Sequence, residues 1–184
     1  MKTEFVLIRH AQSVWNAEGR WQGQGDPPLS RQGREQAQTL ARQVIDESPA
    51  LLVASDLARA RETAEIVGRS LGLPVELEGR LRELDVGDWS GLHHAEVARR
   101  WPDALARFRA GDPEVQVGGG ESRRELRARA LAALECWAER APGGCVAVVT
   151  HGGLLRTLLG GLELANAEWR RIALAALRSQ SGAV

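Results

Sequence analysis

The chain has 184 residues, 43% hydrophobic and 26% charged, with 24 basic side chains balanced by 24 acidic ones. That is the composition of one globular domain over residues 1–184, and the zero net charge offers no field for nucleic acid or an anionic membrane, so neither is expected as a partner. Lys2 is the only lysine, and Gly-Lys-Ser/Thr, Gly-x-Ser-x-Gly and Cys-x5-Arg are all missing, which excludes a Walker phosphate loop, Schiff-base chemistry on an internal lysine and the usual serine and cysteine nucleophile motifs.

Taken in chain order, Phe5-Val-Leu-Ile runs straight into Arg9-His10, a short apolar segment that reads as a buried parallel strand closed by polar side chains. A polar, glycine-punctuated loop follows from Ala11 to Leu29. Ser30 is a good N-cap for a helix carrying Ala37, Leu40, Ala41, Val44 and Ile45 to about Asp46. Leu51 to Ser55 reads as a second strand. A helix with Ala60, Ala64, Val67 and Leu71 ends at Gly72 and Pro74, and Val75 to Leu77 is a brief third strand. Glu83 to Gly91 is a turn-rich loop holding Trp89. Helical patterns cover 94–109 and 121–140, with Gly118-Gly119-Gly120 as a linker between them. Cys145 to Thr150 is a strand that delivers His151, and a helix runs from Gly153 to about Leu162. From Asn166 onward the pattern is open: Ile172 to Leu177 fits a last strand or a short helix.

No signal peptide or membrane span is expected. Cys136 and Cys145 lack metal-ligand spacing and are too few for a disulfide framework, which fits the cytoplasm. His93-His94 is a weak metal candidate because adjacent side chains rarely chelate together, so no metal is expected. Arg99-Arg100 reads as a solvated helix face.

Alternating strands and helices argue an α/β fold, a mostly parallel central sheet with helices on both faces. In such sheets ligands bind beyond the carboxyl ends of the strands. Arg9, His10, Arg59 and His151 therefore converge on one rim from three strands. Gly152 and Gly153 let backbone approach a ligand, and the N-termini of the following helices add positive charge. Such a pocket suits a small polyanion, with phosphate the obvious candidate.

Several ordered motifs carry a family resemblance. Arg9-His10-Ala11-Gln12-Ser13-Val14-Trp15-Asn16 resembles the Arg-His-Gly-Glu-Thr-x-x-Asn motif of the histidine phosphatase superfamily. Gln22-Gly23 with Asp26 and Pro28-Leu29-Ser30, the Ser55-to-Ala64 segment, the Leu81-to-Gly91 segment, Gly119-Gly120-Glu121-Ser122 and Thr150-His151-Gly152-Gly153 resemble its further motifs, over roughly residues 4–161. The resemblance implies a phosphoglycerate mutase-like, three-layer α/β/α sandwich. It implies His10 as the nucleophile, Arg9, Arg59 and His151 around the phosphoryl oxygens, and Glu83 as acid then base beneath a Trp89 lid. Asn16, Gln22, Gly23, Ser13 and Gly152 become substrate contacts, with Trp15 a further pocket candidate. No cofactor is implied. Ala11 stands where the family has glycine, which places a methyl group near the phosphate, and the stretch from Asn166 departs from the family pattern.

Three functions fit this set: a phosphomonoester hydrolase for small phosphorylated metabolites, of the broad-specificity or α-ribazole-phosphate type; a phosphoglycerate mutase; and a non-catalytic phospho-ligand sensor. Mutases of the family carry an insertion before Gly-Glu-Ser with paired arginines that grip the substrate carboxylate. Here Leu92 to Gly118 is short, and Arg107 or Arg109 supplies at most part of such a grip, so the hydrolase is favoured. Oligomeric state is left open, with a homodimer as the candidate.

Overall fold

The period of two along β1 (Glu4–Arg9) sets the layering. Phe5 and Leu7 enter one apolar cluster, and Val6 and Ile8 enter another. The structure, a computed structural model, describes residues 3–179. β2 (Leu51–Ala54) and β4 (Cys145–Thr150) alternate in the same way. Val53, Val146 and Val148 join the first cluster; Leu52, Ala54, Ala147 and Val149 join the second. A strand apolar on both faces must be covered on both, and helices cover it.

The second cluster is closed by α2 (Arg31–Gln43) and α3 (Ala58–Leu71), through Leu40, Ala41, Ala60, Ala64 and Val67. The first is closed by α6 (Arg123–Arg140), α7 (Gly152–Leu158) and α8 (Leu174–Ser179), through Leu126, Leu134, Leu154, Leu155 and Leu177. The sheet runs β3-β2-β4-β1-β5, with β3 at Val75–Leu77 and β5 at Trp169–Ala173. β1, β2, β3 and β4 pair in parallel, and β5 pairs antiparallel with β1. This is the expected three-layer α/β/α sandwich. All six residues of β4, its central strand, are buried.

Local chemistry explains most boundaries. Ser30 accepts a hydrogen bond from Gly33 N and starts α2; Ser122 and Glu125 form a capping box that starts α6. The helical pattern over 94–109 is two helices, α4 (His94–Arg100) and α5 (Pro102–Arg109), because a residue before proline avoids the helical region and Trp101 sits at φ −135°, ψ 59°. After Asn166 both readings of the sequence occur in succession: β5, then α8. β5 reaches the sheet by docking on β1, a long-range pairing that local pattern does not reveal.

Candidate active site

β1, β4 and β2 lie side by side and point the same way, so their carboxyl ends deliver His10, His151 and Ser55 to one rim. Register keeps them level: Arg9 pairs with Thr150 and Ala54 with Val149. His10 is 1% exposed, and Arg59 and His151 are 0% exposed. The imidazoles of His10 and His151 meet edge to face with centroids 5.1 Å apart.

His10 Nδ1 lies 2.7 Å from the Ala11 carbonyl oxygen. A carbonyl only accepts, so the network assigns the proton to Nδ1 and leaves Nε2 with its lone pair. Arg59 Nε donates to that Nε2 at 3.3 Å, while its Nη1 and Nη2 donate to the carbonyls of Gly25 and Gly23 at 2.7 and 2.8 Å. Burial, then the charge of Arg59, drives the His10 pKa well below its ordinary value. Burial likewise pulls Arg59 down to about 10, so the guanidinium stays charged at neutral pH beside an uncharged imidazole. His151 is also pushed well below its ordinary value, by burial first and Arg59 second. Its Nε2 sits 2.8 Å from Ser55 Oγ, and its Nδ1 is buried without a partner.

Beside these groups opens a cleft of about 430 Å³. Of the residues singled out in the sequence, Arg9, Asn16, Gln22, Gly23, Glu83, Arg109, Gly152 and Gly153 line it, whereas His10, Arg59 and His151 do not. Arg9 donates through Nη1 to Leu164 O at 2.7 Å, and its buried Nε has no partner. Glu83 is half-buried, and its carboxylate accepts from the N–H groups of Leu84, Gly153 and Leu154 at 2.8–3.0 Å. The two glycines are there for side chains: a Cβ at Gly152 would lie 3.0 Å from Arg9 Nε, and one at Gly153 would lie 2.6 Å from Glu83 Oε1.

Several expectations change. Part of the helix N-terminal donor set is already engaged: Gly153 and Leu154 give their N–H groups to Glu83, and Ala58 N at the start of α3 donates to Asp26. Ser13 is fully buried and spends its hydroxyl on Asn16 and Gln22 and on capping α1 (Val14–Glu18), so it acts behind the cleft wall rather than on it. Trp89 is no lid; it is 0% exposed, packed among Trp21, Trp101 and Phe108, because an indole of that size gains most by joining the core. Trp15 does not line the cleft either, whereas Trp21 does. The Ala11 methyl group packs with Leu29 and Ala37, and Ala11 N donates to Thr63 Oγ1, so the departure from glycine is absorbed by the core. Gly118 to Gly120 is more than a linker: Glu121 N donates to Asp85 O, which ties this segment to the loop of Glu83.

Other contributors escaped the sequence reading. Ser55 fixes His151. Asn166 Nδ2 donates to His10 O and to Asn16 Oδ1. Arg129 pairs with Glu121 and donates to the carbonyls of Arg80, Arg82 and Glu83, holding the acid loop in place. Arg123 and Arg156 face the cleft from α6 and α7. Serines, asparagines and arginines at such spacings carry no local signal; only the fold assembles them. Among the described residues no group of three or more His, Cys, Asp or Glu is placed to hold a metal.

A buried neutral histidine with one unprotonated ring nitrogen, set beside guanidinium groups and close to a cleft lined by Arg9 and Glu83, has the features that phosphoryl transfer to a histidine requires. The family model of the histidine phosphatase superfamily, branch 1, matches residues 5–180, and the chain belongs to that family. The match runs on past Asn166 to residue 180, through the stretch whose motifs depart from the family pattern. The chain is 39% identical to a metal-independent phosphoserine phosphatase of Arabidopsis thaliana, over 85% of this chain and 67% of that protein. It is 38% identical to a probable phosphoglycerate mutase of Photorhabdus laumondii, over 85% of this chain and 73% of that one. The solved structure of a mycobacterial glucosyl-3-phosphoglycerate phosphatase in complex with VO3 is similar at a TM-score of 0.85, 34% identical, over 93% of this chain and 90% of that one.

Proposed function

We propose that this chain hydrolyses small phosphomonoesters through a phosphohistidine formed on His10. The observation that carries the reading is the unprotonated Nε2 of His10, its tautomer fixed by Ala11 O, its lone pair met by Arg59 Nε and its charge suppressed by burial and that guanidinium. The Nε2 lone pair attacks phosphorus and the ester P–O bond breaks. Glu83, on the cleft wall, gives a proton to the departing oxygen. Its carboxylate then takes a proton from water as the water oxygen attacks phosphorus. The P–N bond breaks, and phosphate leaves a neutral His10.

Charge on the three phosphoryl oxygens grows at the transition state and must be met by donors already in place. Arg9 and Arg59 supply two permanent cations. With the Ser55 hydroxyl donating to His151 Nε2, the His151 Nδ1–H is a buried donor left free for an oxyanion. Asn16, Gln22, Gly23 and Gly152 line the space where the rest of the ester would sit. These cations do the work a divalent metal does in other phosphatases, in keeping with a relative named as metal-independent. Cytoplasmic residence belongs to the same reading and is supported by Cys136 and Cys145, both free thiols. No helix among the described residues is long and apolar enough to cross a membrane.

Mutase activity is the second reading, raised by the Photorhabdus relative. Of the two arginines considered for a carboxylate grip, Arg107 is tied to Asp112 through two hydrogen bonds, and only Arg109 lines the cleft. That favours hydrolysis. The test is phosphate release from a panel of phosphomonoesters, with 2-phosphoglycerate formation from 3-phosphoglycerate followed in parallel. Net phosphate without interconversion, undiminished by EDTA, is the expected result. Interconversion without release makes the protein a mutase, and strong loss with EDTA points to a metal enzyme.

A further inference from the structure

The cleft carries positive charge that the reaction at His10 does not use. Arg123 is the first residue of α6, its side chain is 4% exposed, and it stacks 4.2 Å over the Phe108 ring. It makes no hydrogen bond or ion pair among the described residues, and its Nη1 is a buried donor without a partner. Arg156, on α7, lines the same cleft; its Nη1 pairs with Glu163 at 2.9 Å, and its Nε is also buried and unpartnered.

This is a costly place for a cation. Burial strips water from the Arg123 guanidinium, and no carboxylate replaces it. The start of α6 is the positive end of a helix dipole, which repels a cation rather than holding one. Arg156 adds like charge close enough to depress the Arg123 pKa further, after burial itself. Arg129, further along α6, is the contrast: less buried than Arg123, it is nonetheless paired with Glu121 at 2.6 Å. A buried arginine left unpaired beside a second arginine, both open to the same cleft, is matched to an anion that arrives from outside.

The reaction site is near. Arg156 lies one turn along α7 from Gly152, a rise of about 6 Å, and Gly152 abuts Arg9 while Gly153 abuts Glu83. A small metabolite spans that distance in a few bonds.

We propose that Arg123 and Arg156 form a second anion subsite, selecting phosphomonoesters that carry another oxyanion group, a carboxylate or a second phosphate, a few bonds from the ester. This rests on the phosphomonoesterase reading above and deepens it by naming the substrate class. The subsite lies on α6 and α7, outside the 92–118 segment that holds Arg107 and Arg109.

The test compares kcat/KM for 3-phosphoglycerate and propane-1,3-diol bisphosphate, which carry two anionic groups, with that for glycerol 3-phosphate, which carries one. The wild-type protein is expected to prefer the first two by tenfold or more. In Arg123→Met, which keeps an apolar stem against Phe108, that preference ratio is expected to fall at least tenfold, and Arg156→Met gives a second, independent variant. Whichever of the two dianionic esters suffers more identifies the anion as carboxylate or phosphate. No preference in the wild type, or equal loss on every ester, overturns the proposal. Calorimetric binding of the same three esters to His10→Ala, with and without Arg123→Met, reads the preference as Kd and needs no turnover. Selective binding without hydrolysis keeps the subsite and refutes the phosphatase reading; hydrolysis without selectivity does the reverse.

Discussion

The two sides of the cleft are built by different means. The inner side is backed by residues that do not line the cleft themselves: His10, His151 and Ser55 at the ends of three adjacent parallel strands, and Arg59 at the start of α3, all four essentially sealed from solvent. Their contacts run between distant parts of the chain: Arg59 to Gly23 and Gly25, His151 to Ser55, Asn166 to His10. On the outer side, His94 and Arg109 are exposed, Trp21 and Phe108 are half-buried, and the supports are the short helices α4 and α5 with their loops. On the proposed mechanism, chemistry takes place where the sheet fixes every atom, and the substrate's variable part meets the more lightly supported wall. Placing a reacting group to within a fraction of an ångström calls for the rigid side.

If the inner wall carries the reaction, the largest effect belongs to His10. His10→Ala is expected to leave less than about a thousandth of the phosphate release, the nucleophile being indispensable. Turnover near the wild-type level in that variant would falsify the mechanism. Glu83→Gln sharpens the assignment further. It is expected to slow hydrolysis of alkyl phosphates by about 10²–10⁴, and to slow the p-nitrophenol burst from p-nitrophenyl phosphate far less, since that leaving group departs without a proton. Equal slowing of both removes the general-acid role.

Ser55→Ala tests whether the inner wall depends on its positioning bonds. Leaving buried His151 Nε2 unsatisfied should cost about 1–3 kcal/mol of stability and lower kcat more than it raises KM. Denaturant midpoints and steady-state kinetics read the two, and an unchanged kcat dismisses the serine as a positioning residue.

A smaller, graded effect concerns pH. His10 and His151 are held neutral with pKa values well below the ordinary one, whereas the unfolded chain protonates them near pH 6.5. The stabilisation from that difference is therefore complete above about pH 6.5 and is lost as pH falls toward the native values. The slope should reach about 1.4 kcal/mol per pH unit for each histidine. Urea midpoints at pH 7.5, 6 and 5 should decline accordingly, while His10→Ala should show the shallower decline. A parallel decline in the two proteins would mean that the native His10 takes up its proton as readily as the unfolded one.

Much of the inner wall was legible in the sequence because apolar runs ending in charged or nucleophilic residues are local patterns. Phe5 to His10 and Cys145 to His151 announce both strands and what they deliver, and Ser30 and Ser122 announce two helices. Trp89 departs from its expected place for a physical reason: a tryptophan in a polar loop looks exposed until the fold brings Trp21, Trp101 and Phe108 around it. Ser13 departs similarly, since a hydroxyl can cap a helix or touch a ligand with the same local sequence.

By itself the sequence determined the first four strands in chain order, the residue types at their ends and the absence of competing nucleophile motifs, all of which depend on short-range periodicity and side-chain identity. Only the tertiary structure decided which polar groups meet. It placed β5 against β1 so that Asn166 reaches His10, turned the N-terminus of α7 onto Glu83 rather than a ligand, and buried Arg123 without a carboxylate beside Arg156. Those outcomes rest on long-range pairing and on competition for buried donors, which no stretch of neighbouring residues contains.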